Sequence, residues 1–322
     1  MIGSPRHVPF PQPVATLALL VITACTTEPT GSVIVGPLAV DARLPAWSVA
    51  LPSDVVITEV AVQVLEPATL AVRATALVPF DRAKDTLVVA IPVELRQSVE
   101  TLLVNIGYFG STGAPVFQGS GPVEVTAGIP AQPAKIPVTY VGPGQEVRSI
   151  GITPRQVGAA FSETVLFDVL GSDSIFTPVP TFYVGWETSS ADVPIDAYGR
   201  LTAPARPLLA KIRAHTPTAI GLVRDSTELY VDVDGFGLLP TSVSVQVARS
   251  TQLRLFDRNR GGISLTVNGV LDGTPQFGFV SVDGDVLYVA PSVVPFPETF
   301  PVCATSVVAP SSTACTQVTV TP

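Results

Sequence analysis

The stretch Tyr183-Val-Gly-Trp-Glu-Thr-Ser-Ser-Ala-Asp-Val-Pro-Ile-Asp-Ala-Tyr-Gly-Arg-Leu-Thr-Ala203 decides the fold of this chain. Its short β-prone runs are separated by residues that favour turns, which is typical of a sheet protein with tight hairpins. The segment from Asp196 to Gly199 predicts one such hairpin turn. The indole of Trp186 is large enough to fill the space between two stacked sheets. The stretch therefore predicts a sandwich of two sheets with Trp186 in its core.

The same stretch resembles the signature of bacterial Ig-like group 2 (BIG2-like) domains. That signature combines a tryptophan, a Ser-Ser-Asp-like turn, an alternating strand, Asp-x-x-Gly and Leu-Thr-Ala. The resemblance implies an immunoglobulin-like fold, and such domains are often found in bacterial surface adhesins. Pro194 departs from the pattern, because the family usually has a residue there whose N–H donates to the sheet. The matching positions are Trp186, Ser189, Ser190, Asp192, Ile195, Asp196, Gly199, Leu201 and Ala203.

Alternating runs outside this stretch predict further strands. Asp54–Val64 and Thr101–Tyr108 alternate between apolar and other residues, so one face of each strand lies in a core and the other meets water. The chain has 32 Pro and 25 Gly residues, and they separate such runs into short strands joined by turns. We therefore expect an all-β fold of tandem immunoglobulin-like β-sandwich domains.

Breaks between these runs divide the chain into three units. Val141-Gly-Pro-Gly-Gln145 interrupts the pattern, and we expect a hinge there. The first unit is a β-sandwich of unassigned family, and the third resembles another Ig-like repeat. Leu265 in the third unit stands where that family usually has a tryptophan, so this core residue is smaller. The expected boundaries are 33–141 for the first unit, 142–145 for the hinge, 146–233 for the second unit and 234–322 for the third.

Residues 1–24 predict an export signal. Arg6 precedes an apolar run from Val14 to Ala24, which is too short to span a bilayer, since spanning needs about 20 residues. The run ends in Ile22-Thr-Ala-Cys25, which resembles a bacterial lipobox. The alternative is an ordinary signal peptide that is cut near Ala24, with Cys25 incidental.

The lipobox resemblance implies that Cys25 is lipidated and becomes the first residue of the mature lipoprotein. Residues 25–32 then form a polar tether between the lipid and the first unit. Two or more acyl chains hold a protein firmly, so the membrane is an expected partner through this N-terminal lipid. Thr26 follows the cysteine where an Asp would indicate retention in the inner membrane. We therefore expect a lipid-anchored protein of the cell envelope, at the outer membrane or the cell surface.

Cys303 and Cys315 predict a disulfide bond, because export leads to an oxidising compartment. If residues 299–307 and 314–320 pair as a hairpin about Ala309, the two cysteines face each other and point outward. The bond would then staple the closing hairpin. The alternatives are two free thiols or a metal site, and the neighbouring sequence has no His that would favour a metal.

The chain has little of the chemistry that enzymes use. His215 is the histidine that remains after the signal is removed, and a lone strand histidine is usually a surface residue or a hydrogen-bonded one. The sequence contains no Gly-x-Ser-x-Gly, His-Glu-x-x-His or phosphate-loop motif. Asp232-Val-Asp234 and Asp283-Gly-Asp285 could hold calcium, but each also fits a hairpin turn. We expect no catalytic residue, no metal and no cofactor.

Composition narrows the class of partner. The formal net charge of −8 disfavours nucleic acid, which binds basic faces.

The leading hypothesis is a non-enzymatic, lipid-anchored cell-envelope protein whose Ig-like modules serve adhesion, partner binding or spacing. The alternative is a carbohydrate-binding surface protein that uses the first unit, with Trp47, Tyr108 and Phe117 as candidate exposed aromatics. The partner is therefore an unidentified surface protein or a glycan, and the ligand-binding residues are unknown.

Overall fold

The computed structural model describes residues 34–81, 87–129, 132–258 and 261–322. Within these ranges the chain is built from strands, with one 3-10 helix at Ala46–Ala50. None of the helical structure in the described ranges is long and apolar enough to cross a membrane. The signal peptide (1–24), Cys25 and the tether (25–32) lie outside the described residues and stay predictions.

The first unit packs two sheets against each other. Its strands are β1 (Ile34–Ala42), β2 (Ile57–Leu65), β3 (Val72–Pro79), β4 (Leu87–Leu95), β5 (Val99–Gly110), β6 (Pro115–Thr126), β7 (Ala134–Lys135) and β8 (Thr139–Tyr140). The strand orders are β3-β2-β5-β6-β8 and β4-β1-β7. Every second residue of β4 is buried, including Val89, Ile91 and Val93, as alternation predicts for a strand with one core face. Between the sheets lies one hydrophobic core that contains Tyr108 and Phe117.

The second unit has smaller sheets. Its strands are β9 (Ser149–Thr153), β10 (Val157–Ala160), β11 (Thr164–Leu166), β12 (Asp168–Ser172), β13 (Pro178–Val179), β14 (Gly185–Thr188), β15 (Arg200–Thr202), β16 (Leu208–Thr218) and β17 (Gly221–Asp232). They form sheets of order β10-β17-β16-β14 and β13-β12-β9, and β11 pairs with β15. Trp186 is half-buried because β14 is an edge strand, and its ring packs 6.3 Å from that of buried Phe167.

The turn that the sequence predicts at Asp196–Gly199 is present. Oδ1 of Asp196 accepts hydrogen bonds from the backbone N–H groups of Tyr198 and Arg200, and Gly199 has a φ of +77° that favours glycine. The alternating strand expected before this turn is reduced to one isolated bridge between Ile195 and Leu201. Pro194, which has no N–H to donate, interrupts it.

The third unit is again a pair of stacked sheets. Its strands are β18 (Phe236–Leu239), β19 (Ser242–Gln246), β20 (Ser250–Asp257), β21 (Ile263–Val267), β22 (Val270–Leu271), β23 (Gly273–Thr274), β24 (Gly278–Asp283), β25 (Asp285–Val289), β26 (Thr299–Ser306) and β27 (Thr313–Thr321). The orders are β18-β20-β25-β24-β23 and β19-β27-β26-β21-β22. Leu265 is buried in the same hydrophobic core as Phe277 and Phe300, whose ring centroids are 5.1 Å apart.

The predicted disulfide closes the last hairpin. Cys303 lies directly opposite Cys315 in the pairing of β26 with β27, and the two sulfurs are bonded at 2.10 Å. Their neighbours Val302 and Ala304 are buried, whereas Cys315 is exposed. The bond therefore lies on the outward side of the hairpin, as its register predicts.

Hydrogen bonds and ion pairs tie the units together in sequence. At the first junction His215 of the second unit is hydrogen-bonded to the carbonyl oxygen of Ala50 in the first unit at 2.7 Å, and the N–H of Ala219 donates to the carbonyl of Gln145, in the segment between the units, at 3.0 Å. At the second junction Arg258 pairs with Glu163 at 2.7 Å. A hinge at 142–145 stays a prediction, and bending there would disturb the Ala219–Gln145 bond. The described residues thus form an all-β chain of tandem immunoglobulin-like β-sandwiches.

Candidate functional site

An open groove of about 410 Å³ lies on the outer face of the five-stranded sheet in the first unit. It crosses the three central strands β2, β5 and β6, and we call it the unit-1 groove. Its lining is a mixture of amide side chains, small residues and one aromatic ring. The lining residues are Ala61, Gln63, Asn105, Ile106, Gly107, Phe109, Gln118, Gly119 and Ser120.

Strand register brings the polar side chains of the groove together. Asn105 lies opposite Gln63 on one side and opposite Ser120 on the other. Gln118 belongs to the next row, opposite Gly107. Partners in antiparallel strands point to the same face, so these side chains share the outer surface. The sheet therefore gathers three amides and one hydroxyl from three strands.

The aromatic ring of the groove depends on a glycine. A Cβ on Gly107 would lie 2.7 Å from Cε2 of Phe109, so the ring lies across the space that a larger residue would occupy. The register of β5 with β6 shifts between Tyr108 and Phe109, and such irregularities bend a strand. The half-buried Phe109 ring is thereby held against the floor of the groove.

The amide side chains of the groove have no hydrogen-bond partners among the described residues. No side-chain hydrogen bond among the described residues engages Gln63, Asn105 or Gln118. Gln63 and Gln118 are exposed, and Asn105 is half-buried. None of the lining residues ionises, so the groove carries no formal charge. Its donors and acceptors are available to a ligand or to water.

Trp47, Tyr108 and Phe117, the aromatic residues expected to bind a glycan, do not line this groove. Tyr108 and Phe117 are fully buried, because they point to the opposite, inner face of the sheet. Trp47 is half-buried and packs on Phe117 with ring centroids 5.6 Å apart. Burial raises the pKa of Tyr108 well above its ordinary value, and the nearby Asp41 carboxylate raises it further. The expectation that Tyr108 and Phe117 are exposed was therefore wrong.

The alternation of Thr101–Tyr108 indicates which residues of this strand face the core. Leu102, Val104 and Ile106 share one face with Tyr108, which places that tyrosine in the core. Asn105 belongs to the opposite face of the same strand, and this face continues to Phe109. The alternation of β5 therefore indicates Phe109, and not Tyr108, as the aromatic residue of the outer face.

A second concave region, of about 340 Å³, lies between the first and second units. Nε2 of His215 is 2.7 Å from the carbonyl oxygen of Ala50, so Nε2–H donates across the junction. Nδ1 is 3.7 Å from Oε1 of Glu187. His215 is buried at 6% exposure, and a Cβ on Gly185 would collide with its ring. His215 therefore helps to join the two units. We call the concave region around it the His215 cleft.

Two of the carboxylates considered for calcium, those of Asp232 and Asp234, accept hydrogen bonds within the protein. Asp232 accepts from the hydroxyl of Tyr230 at 2.9 Å and from the N–H of Val233 at 2.7 Å. Asp234 accepts from the N–H of Phe236 at 3.1 Å. Burial and the Asp232 hydrogen bond raise the pKa of Tyr230 to about 12. No group of three or more His, Cys, Asp or Glu within the described ranges could hold a metal ion, and the Asp283 side chain lies outside what is described.

Comparisons with known proteins concern the fold. No protein-family model matches the chain, and no curated protein matches it. The chain is similar to the solved structure of Drosophila OTK extracellular domains 3–5, with 9% identity, 90% of this chain and 93% of that chain covered, and a TM-score of 0.21. It is also similar to the N-terminal eight Ig domains of DSCAM, with 10% identity, 91% and 56% covered, and a TM-score of 0.28.

A third similar structure is Bacteroides ovatus SGBP-B, from a mixed-linkage glucan utilization locus, in complex with a mixed-linkage heptasaccharide. The identity is 14%, 54% of this chain and 48% of that chain are covered, and the TM-score is 0.19. Likeness at these TM-scores carries no argument about what the present chain binds.

Proposed function

We propose that this chain is a lipid-anchored cell-envelope protein whose Ig-like modules serve adhesion, partner binding or spacing, and whose first unit, next to the tether, carries a binding surface. The modules correspond to residues 33–141, 146–233 and 234–322, and the surface is the unit-1 groove. The observation that supports the proposal most strongly is the state of the groove. Its side-chain amides have no hydrogen-bond partners among the described residues, although the strands that hold them are paired on both sides. Adhesion and partner binding need such an exposed, pre-formed set of donors and acceptors.

The anchor in this proposal is Cys25. Its support is the apolar run that ends in a lipobox-like sequence, followed by the polar segment 25–32. Thr26 favours the outer membrane or the cell surface over the inner membrane. The net charge of −8 gives the protein no electrostatic attraction for anionic lipid or nucleic acid. The acyl chains on Cys25 would therefore supply the attachment to the membrane.

Metabolic labelling with a fatty-acid analogue tests the anchor. The parent should take up the label and sediment with membranes, whereas Cys25→Ser should do neither. The matched control is the double variant Cys303→Ser and Cys315→Ser, which keeps Cys25 and should be labelled like the parent. If Cys25→Ser enters the membrane fraction as the parent does, the lipid-anchor proposal fails.

We assign the second unit to the bacterial Ig-like group 2 type. The support is the half-buried Trp186 beside Phe167 and the Asp196–Gly199 turn that leads into β15. Ser189 contributes as well, because its hydroxyl accepts from the N–H of Lys211 at 2.8 Å and secures the turn to β16. A non-enzymatic role is consistent with His215, because its ring is hydrogen-bonded to the backbone carbonyl of Ala50 at the junction between the first two units.

The second candidate function is carbohydrate binding by the first unit. The unit-1 groove favours it, although through other residues than the aromatics first nominated. Phe109, Asn105 and Gln118 replace Tyr108 and Phe117 as the candidates. In this version the Ig-like modules that follow act as a scaffold for the first one.

A further inference from the structure

We propose that the unit-1 groove binds a neutral glycan chain laid across β2, β5 and β6. The proposal rests on the proposed function, from which it takes the role of the first unit as the binding module, and it names the ligand class. The observations behind it are the amide set, the Phe109 ring, the absence of charge in the lining and the position of the groove on the sheet.

The amides match a polyhydroxyl ligand. An Asn or Gln side chain offers two N–H donors and an acceptor oxygen, and a sugar hydroxyl also donates and accepts. Gln63, Asn105 and Gln118 present this dual capacity from three adjacent strands, with no partner among the described residues. A carboxylate only accepts hydrogen bonds and an ammonium group only donates them, so neither offers both capacities from one side chain.

The Phe109 ring supplies the apolar part of the site. The face of an aromatic ring carries partial negative charge, which suits the weakly positive C–H groups of a sugar ring. Gly107 leaves space for this ring to lie against the sheet, where a Cβ would approach Cε2 within 2.7 Å. One face of a sugar can thus pack on Phe109 while its hydroxyls reach the amides.

Charge disfavours acidic polymers as the ligand. The lining has no ionisable residue, and the chain as a whole carries −8. Sulfated or uronic-acid chains and nucleic acids would find no cation in the groove and would meet a repulsive field. A neutral chain needs no cation in the groove and is not repelled by the net negative charge.

The position of the groove disfavours an extended peptide. Peptides that bind to sheets commonly add a strand at an exposed edge, where backbone groups are unpaired. β5 is paired with β2 and β6, and each of these strands is paired with another on its far side. The groove therefore offers side chains rather than backbone groups. Its volume of about 410 Å³ suits a short stretch of a longer chain that continues beyond either end.

The test is a binding assay with the full chain. The probes are immobilised neutral oligosaccharides of β-glucan, α-glucan, mannan, galactan and N-acetylglucosamine type, with polygalacturonate and heparin as acidic probes. At least one neutral class should bind the parent. The double variant Asn105→Ala and Gln118→Ala should weaken that binding about tenfold or more, because two hydrogen bonds are lost. Phe109→Ala should weaken it by a comparable factor.

The matched control is Gln317→Ala, which removes an exposed amide from β27 of the third unit. It should leave binding unchanged. Gly107→Ala, which displaces the Phe109 ring without removing a polar group, should also reduce binding. Thermal melting of each variant reports folding, and Gln118→Ala alone, at an exposed position, serves if the double variant unfolds.

Several outcomes would overturn the glycan proposal. These are failure of the parent to bind every neutral probe, stronger binding of an acidic probe, or binding that the groove variants leave unchanged. Self-association that Phe109→Ala abolishes would show that a second copy covers the groove, and would also overturn it. The Cys25→Ser labelling experiment is independent, so a glycan failure with normal labelling leaves the lipid-anchor proposal standing.

Discussion

The unit-1 groove and the His215 cleft are both concave, and both lie beside aromatic rings, yet their polar groups differ in one respect. In the groove, the side-chain amides of Asn105 and Gln118 have no hydrogen-bond partner among the described residues. In the cleft, His215 donates to the carbonyl of Ala50 and faces Glu187. Histidine, the residue type most often used in catalysis, is here hydrogen-bonded at a junction between units, whereas the side-chain amides of the groove are available to a ligand. Partner status, more than residue type, separates a candidate site from a junction.

The largest expected effect concerns the two faces of the groove sheet. Phe117→Ala should lower the free energy of unfolding of the first unit by about 3–5 kcal/mol, because it leaves a cavity beneath the groove. Phe109→Ala, on the outer face, should lower it by about 1 kcal/mol. Urea unfolding followed by Trp47 fluorescence, in a Trp186→Phe background, measures both. Equal losses would mean that the groove is part of the core.

The third unit extends the comparison to a covalent contact. Replacing both Cys303 and Cys315 by Ser should lower the stability of the closing hairpin by about 3 kcal/mol, from the chain entropy of a loop closed over 12 residues. Hydrogen–deuterium exchange of β26 and β27 measures this loss. Exchange as slow as in the parent would show that the sheet needs no staple, and intact mass without reduction should confirm that the parent has no free thiol at these positions.

High pH should weaken the third unit through Tyr288. Burial raises the pKa of this tyrosine from 10.0 to about 12, and its hydroxyl donates to the carbonyl of Phe277 at 2.7 Å. The unfolded chain loses this proton near pH 10, so the stabilisation is complete below pH 10 and is lost as the pH rises towards 12. By pH 11 the loss should reach about 1.4 kcal/mol.

Tyr288→Phe should therefore make hydrogen–deuterium exchange of β25 less sensitive to pH between 10 and 12 than in the parent. Tyr198→Phe is the matched control, because Tyr198 is 84% exposed. If both variants follow the pH dependence of the parent, ionisation of Tyr288 does not couple to the stability of this unit.

The smallest expected effect lies at the His215 cleft. His215→Ala should cost about 1 kcal/mol, since one hydrogen bond across the junction is lost and the Ala50 carbonyl is left without its partner. Limited proteolysis at 142–145 should become faster, because that segment is held by the same junction. Glu187→Gln, which keeps the Ala50 bond, should cleave like the parent. Unchanged cleavage in His215→Ala would mean that other contacts hold the units together.

Much of the fold follows from the sequence for local reasons. Alternation located β2 and β5, and the register of the last hairpin placed Cys303 opposite Cys315. The Asp196–Gly199 turn was predictable because its side-chain hydrogen bonds are made within four residues. In each case the deciding interaction lies close along the chain or repeats with the period of a strand.

The groove was not predicted, because it depends on the relation between strands. Tyr108 and Phe109 are adjacent aromatics, and the register shift between them helps to determine how each is presented. Gln63 and Gln118 are far apart in sequence and become neighbours through β5. The His215–Ala50 bond joins residues from different units. No single run of sequence contains these contacts.

Chemical-shift mapping of the labelled full chain tests the central claim most directly. Neutral oligosaccharides of the five types are added, and the side-chain amide signals of Asn and Gln are followed. We predict that the shifts are concentrated at Gln63, Asn105 and Gln118, while those of Gln252 and Gln317 in the third unit remain unchanged. Unchanged groove amides at saturating sugar, or shifts confined to the other units, would contradict the account.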